Sequence, residues 1–108
     1  MTADVFIDRE EDGDLFVVTN NGSDVPLGTR FTELIERVWD EGSTAGNSLQ
    51  FGLLAEVDLA LKEIYIFRRS VEAIPKGWSA AIRLEGTGSD AIRAALTGKR
   101  KGDYVHLR

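Results

Sequence analysis

The chain has 108 residues, 43% hydrophobic and 29% charged, with a net charge of −5; this suits one hydrophobic core, is too short for two, and argues against disorder. It has no cysteine, which excludes disulfides, thiolate catalysis and Cys-ligated zinc. The acidic balance argues against a broad nucleic-acid-binding face, because phosphate neutralisation supplies most of such binding. The start, Met1-Thr2-Ala3-Asp4-Val5, lacks a basic region followed by an apolar stretch, and no apolar run approaches the roughly 18 residues of a membrane-spanning helix. A single cytoplasmic domain over 1–108 is the expectation.

Val5-Phe6-Ile7 and Leu15-Phe16-Val17-Val18 are rich in β-formers, and the Asp12-Gly13 pair between them signals a hairpin turn. Asn20 to Asp24 reads as a second turn, and Pro26 confines any strand at Val25-Pro26 to a sheet edge. Phe31, Leu34, Ile35, Val38 and Trp39 fall at helical spacing, although Phe31, Ile35 and Trp39 also share one face of a strand. Periodicity alone slightly favours helix there. Glu41 to Ser48 is a small, polar loop and the expected flexible point. Val57, Leu59 and Leu61 alternate with polar or small residues as in a strand, which Ile64 and Ile66 continue. Gly77 marks a turn, and Ala81 to Leu84 reads as another strand. Ser89 then starts a short helix over Asp90 to Leu96, near residues 89–97, with Gly98 as its stop. Tyr104 to Leu107 is a last strand.

The stretch Ile64 to Gly86 resembles the β-barrel (second) domain of translational GTPases of the elongation factor Tu type. The Phe67-Arg68 pair matches the aromatic-basic pair that ends a barrel strand. Lys76-Gly77 matches the turn, Ala80 and Ile82 the next strand, and Leu84-Glu85-Gly86 the closing piece. Val17-Val18-Thr19 resembles the family's V-V-T-G strand, with Asn20 in place of the glycine. Val25 to Phe31 resembles I-x-V-G-D-x-V, with Thr29 in place of Asp, and Gly102-Asp103-Tyr104-Val105 resembles the last strand. The resemblance implies a mainly β fold: a small closed or partly open antiparallel barrel with one short helix. It also implies that Phe31 to Trp39 is a strand, and that reading is followed over the periodicity. In the family this barrel packs on a GTPase domain and helps hold the acceptor end of tRNA. Here no G-x-x-x-x-G-K-[ST] phosphate loop occurs, so no GTP binding is expected of this chain.

The run Asp8, Glu10, Glu11, Asp12, Asp14 has hard oxygen ligands for Ca²⁺ or Mg²⁺ but lacks the spacing of a calcium loop; the alternative is a solvated hairpin tip or an acidic docking surface. Lys99-Arg100-Lys101, with Arg93 and Arg108 near in sequence, offers a phosphate-binding patch or an exposed loop. Arg68-Arg69 carries the same pair of readings. His106, the single histidine, would be needed by any His-based metal cluster or triad, and reads instead as an ordinary sheet residue. Trp78 follows the turn glycine, either as an exposed binding anchor or packed across the barrel mouth. Trp39 is the other tryptophan.

These residues favour a non-catalytic interaction module, with no cofactor or metal, that meets a protein partner through Trp78, Arg68, Arg69, Lys99, Arg100 and Lys101. The alternatives are a tRNA- or RNA-binding translation accessory using the local basic patch, and a toxin-neutralising, immunity-like protein. An enzyme is the least favoured class, because no nucleophile-elbow or clustered-histidine motif occurs.

Overall fold

Runs of alternating apolar and polar residues form most of the strands, and the places where the alternation slips fix how they curl. The computed structural model describes residues 3–11, 15–40, 48–99 and 104–108, excepting the side chains of 38–40 and 48–51. Among the described residues the chain runs β1 (Val5–Glu11), β2 (Leu15–Asn20), β3 (Val25–Pro26), β4 (Arg30–Asp40), β5 (Ser48–Ile66), β6 (Arg69–Val71), β7 (Ala73–Ile74), β8 (Ser79–Thr87), α1 (Ser89–Gly98) and β9 (Tyr104–Leu107). Six strands pair antiparallel in the order β4-β9-β1-β2-β8-β5, and β5 pairs back onto β4, so the ring of hydrogen bonds closes. Closure removes the sheet edges from these six strands. Strand β6 adds to β5, and β3 pairs with β7 in a separate two-stranded ladder that holds Pro26 opposite Ala73.

The interior is one cluster. Val5 and Ile7, Phe16 and Val18, Leu59 and Leu61, Ile82 and Leu84, Val105 and Leu107 all point inward at alternate positions of their strands. Each such side chain contributes about 1.5–3 kcal/mol on full burial. The two ends are plugged differently. Val25 and Ile74 of the β3–β7 ladder enter the core at one end, and α1, inserted between β8 and β9, lays Ile92 into it at the other. Gly88 caps α1 at φ 122 without a side-chain hydrogen bond, and Ser89, expected to begin the helix, is its first residue. Gly98 is its last. None of the described helical residues forms a helix long and apolar enough to cross a membrane.

Two phase slips shape the barrel. Along β5 the buried residues run Val57, Leu59, Leu61 and then Ile64, a change from odd to even positions. A bulge at Lys62/Glu63 opposite β8 absorbs the extra residue, so both sets face inward. Along β4 the amides of Thr32 and Glu33 both donate to the Arg108 carbonyl, at 2.8 and 3.1 Å. This bulge lets Phe31 and Leu34, three residues apart, both enter the core. The helical spacing read in this segment is thus the imprint of a bulged strand, and the preference for helix is overturned; Phe31 to Trp39 lies within β4.

Gly86 is the tightest joint. It sits at φ 137 opposite Leu59, and a Cβ there would lie 2.0 Å from the Asp58 carbonyl oxygen. Only a residue without a side chain lets β8 approach β5 so closely.

Candidate functional site

The end of the barrel opposite α1 is built by one buried amide. Asn20 is 1% exposed; its Nδ2 donates to the carbonyls of Ser23 (2.8 Å) and Ile74 (2.7 Å), and its Oδ1 accepts from the Gly22 amide at 3.0 Å. Its backbone exchanges bonds with the next turn: Asn20 N–H to Trp78 O and Gly77 N–H to Asn20 O, both 2.9 Å. With every polar atom of its side chain engaged, Asn20 locks the loop after β2 to the turn before β8. In that turn Gly77 takes φ 82 and the Trp78 amide donates to the Pro75 carbonyl at 3.1 Å, as a turn with left-handed glycine at its third position requires. Trp78 is thereby held on a rigid support yet is 48% exposed.

Phe67 stands against it. Ile66 pairs with Arg69 in the β5–β6 hairpin, leaving Phe67 and Arg68 as its two loop residues, at φ 51 and 65. Two-residue hairpins with both residues left-handed normally use Asn and Gly. Here two large side chains occupy them, at roughly 1–2 kcal/mol each. The Phe67 ring meets Trp78 edge to face, 6.3 Å between centroids and 77° between planes, and remains 86% exposed. Phe67 and Arg68, expected at the strand end, are instead the tip of a tight turn.

Two grooves flank the aromatic pair. The first, about 630 Å³, runs along the outside of β2, β8 and β5. Ala81 is its floor, paired with Val17 on one side and Tyr65 on the other, so a small residue lies between two larger ones. Arg68 and Trp78 close one end, and Glu11 and Arg83 line the other. The second groove, about 570 Å³, lies between Phe67, Arg69, Val71 and Pro75. Beside the first, the Tyr65 hydroxyl donates to Glu63 Oε2 at 2.5 Å and Arg83 Nε donates to the same oxygen at 3.1 Å. The Tyr65 bond first, and then Arg83, hold the Glu63 carboxyl below its ordinary range; the same Tyr65–Glu63 bond pushes the phenol up.

Trp78, Arg68 and Arg69, named from the sequence, thus come together at one end of the barrel. Lys99 does not join them: it caps the C-terminus of α1 and is exposed. Arg100 and Lys101 lie outside the described residues. The partners once read with them point elsewhere, since Arg93 binds Glu10 (2.7 Å) and Asp90 (3.1 Å), and Arg108 lies 4.0 Å from Asp4. In the acidic run, Asp8 and Glu11 converge on Arg9, while Asp12 and Asp14 lie outside the described residues. His106 is 1% exposed, with Nδ1 2.8 Å from Asp4 Oδ1 and its ring 5.9 Å from that of Phe6. The side chain of Trp39 is not among those described.

Phe67 and the Ala81-floored groove escaped the sequence reading. The Ile66-Phe67-Arg68-Arg69 stretch carries no Gly, Asn or Pro to announce a turn. The outward residues of β2 and β8 (Leu15, Val17, Ala81) stand out as a strip only once the barrel has set those strands side by side. No family model, no curated protein and no solved structure matches this chain.

Proposed function

We propose that this chain is a non-catalytic interaction module, built on a barrel resembling the second domain of elongation factor Tu-type GTPases, that docks a protein partner through the Phe67–Trp78 end. The observation that carries this reading is Phe67 itself: 86% exposed, in a left-handed turn, against a tryptophan anchored by a fully bonded Asn20. A fold does not keep a strained, solvent-facing phenylalanine for its own stability. Strain of this kind gathers where a surface must present a side chain, and aromatic anchors on rigid supports are the usual centres of binding energy. The two grooves give a partner's side chains somewhere to enter beside the anchors. The closed antiparallel ring, the turn at Gly77 and the close approach at Gly86 support the kinship with the translation-factor barrel.

Capture from the native lysate tests the reading, with the wild-type chain and the Phe67→Ala/Trp78→Ala variant immobilised side by side. A protein retained by the wild type, lost from the variant and indifferent to nuclease is the expected result. Equal retention by both chains would place the interaction elsewhere. Loss of every partner after nuclease would favour an RNA-binding accessory instead.

A further inference from the structure

The cations of this chain divide by whether a carboxylate answers them. Arg9, Arg30, Lys62, Arg83, Arg93 and Arg108 each lie within 4.0 Å of an Asp or Glu oxygen. Arg37 instead lies over the Tyr104 ring, 4.4 Å from its centroid. Among the described residues Arg68, Arg69, Lys76 and Lys99 are left with neither. The first three surround one feature: Arg68 lines one groove beside Phe67 and Trp78, Arg69 lines the other, and Lys76 is in the turn that presents Trp78. The chain holds 18 Asp and Glu against 13 Lys and Arg. Although acids are in excess, three exposed cations around the aromatic pair have no carboxylate within ion-pair distance among the described residues. Asp24 and Glu72 are at the same end of the barrel, yet neither comes within ion-pair distance of these three; Asp24 Oδ1 accepts the Lys76 backbone amide at 3.1 Å instead.

We propose that this end of the barrel binds a linear acidic segment of a partner protein, its carboxylates on Arg68, Arg69 and Lys76 and one large apolar side chain in the groove beside Trp78. The inference rests on the interaction-module reading and supplies the partner's chemistry. Charge complementarity selects an anion, and the Ala81 floor between Val17 and Tyr65 accepts an apolar group. The far end of the groove separates a peptide from a nucleic acid. Glu11 lines it, and Glu63 is bonded to the lining residues Tyr65 and Arg83. A phosphate backbone following the groove meets the Glu11 carboxylate, with Glu63 behind Tyr65 and Arg83, whereas a peptide needs its acids only at the arginine end.

The test pans phage-displayed random peptides of about 12 residues on the whole chain, then titrates fluorescein-labelled winners by anisotropy. Arg68, Arg69 and Trp78 are exposed, so Arg68→Glu/Arg69→Glu and Trp78→Ala should melt close to the wild type. Winners should join Asp or Glu runs to one aromatic or large aliphatic residue. Their affinity should fall about 10-fold or more in either variant and should weaken as salt rises. Winners without acidic enrichment, lost in Trp78→Ala but indifferent to Arg68→Glu/Arg69→Glu, would overturn this inference and leave the docking face standing. Winners that bind Trp78→Ala as well as the wild type would remove both. Tighter binding of a random single-stranded RNA of about 20 nucleotides, dependent on the two arginines, would reassign the site to nucleic acid. Dimerisation in the ultracentrifuge, abolished by the charge reversal, would reassign it to a second copy of the chain.

Discussion

Two walls of the barrel carry aromatic rings beside arginine, and they use them in opposite ways. On the β4–β9–β1 wall, Phe6 meets Tyr104 edge to face at 5.6 Å, Arg37 stacks over Tyr104, and His106 is buried between Phe6 and the Asp4 carboxylate. On the β2–β8–β5 side, Phe67 and Trp78 meet edge to face and stay exposed, and among the described residues no carboxylate lies within ion-pair distance of Arg68 or Arg69. The first holds three rings, one arginine and one aspartate; the second holds two rings and two arginines. What differs is where the contacts run: the rings of the first cluster pack within the fold, although Arg37 Nε and His106 Nε2 are buried there without a hydrogen-bond partner, while the second pair of rings stands exposed. An aromatic–arginine motif in a sequence therefore says little until its neighbours are known.

The largest expected effect tests whether the two walls depend on one closure. Gly86→Ala puts a methyl group into the Asp58 carbonyl at an unfavourable φ, and should destabilise the chain by at least about 3 kcal/mol. Hydrogen exchange should show both walls losing protection together. Protection kept on β1 and β9 but lost on β2 and β8 would make them separate units.

Next in size, His106→Ala removes a buried ring and leaves Asp4 without its main partner, a cost of about 2–4 kcal/mol in urea unfolding. Trp78→Ala should cost less than about 1 kcal/mol, since half its surface is already in water. Comparable losses in the two variants would mean that the exposed cluster also holds the fold. A smaller effect has the opposite sign. Phe67→Asn/Arg68→Gly gives the left-handed turn the residues it prefers, and should stabilise the chain by about 1–2 kcal/mol while abolishing partner binding. A destabilised variant would show that the exposed ring contributes more to folding than its turn strain takes away.

How much of this was legible beforehand depended on whether the signal was local. The β1–β2 hairpin, the edge position of Pro26, the alternation of Val57, Leu59 and Leu61, and the turn at Gly77 are local patterns, and each is where it was read. From Phe31 only the periodicity taken alone misled, while the strand reading that was followed stands: a bulge opposite Arg108 shifts the phase, and that bulge depends on a segment more than 70 positions away. Trp78, Arg68 and Arg69 were singled out by type and neighbourhood, but their meeting depends on Asn20, which the family pattern had registered only as a missing glycine. Phe67 was invisible as a site because nothing in its own stretch marks a turn.

The smallest effect is in the acid range, where each wall carries one depressed carboxyl. Burial raises the pKa of Asp4, but the hydrogen bond with His106, the charges of His106 and Arg108, and a hydrogen bond with Asn21 together outweigh it, so the group ends below its ordinary 3.8. Glu63, lowered from 4.5 by Tyr65 and Arg83, is open to solvent. For both, the folded pKa lies below the unfolded one. Their stabilisation is therefore complete above the ordinary carboxylate value and disappears as pH falls through the folded value. Asp4→Asn keeps an acceptor for the histidine and removes the proton-linked part, so its urea midpoint should fall less steeply than the wild type's below about pH 4. Glu63→Gln should change that slope less, because water screens its bonds. If the glutamate variant flattened the curve more than the aspartate one, the exposed wall would be the one that the protein's own charges hold together, and the contrast between the two walls would have to be reversed.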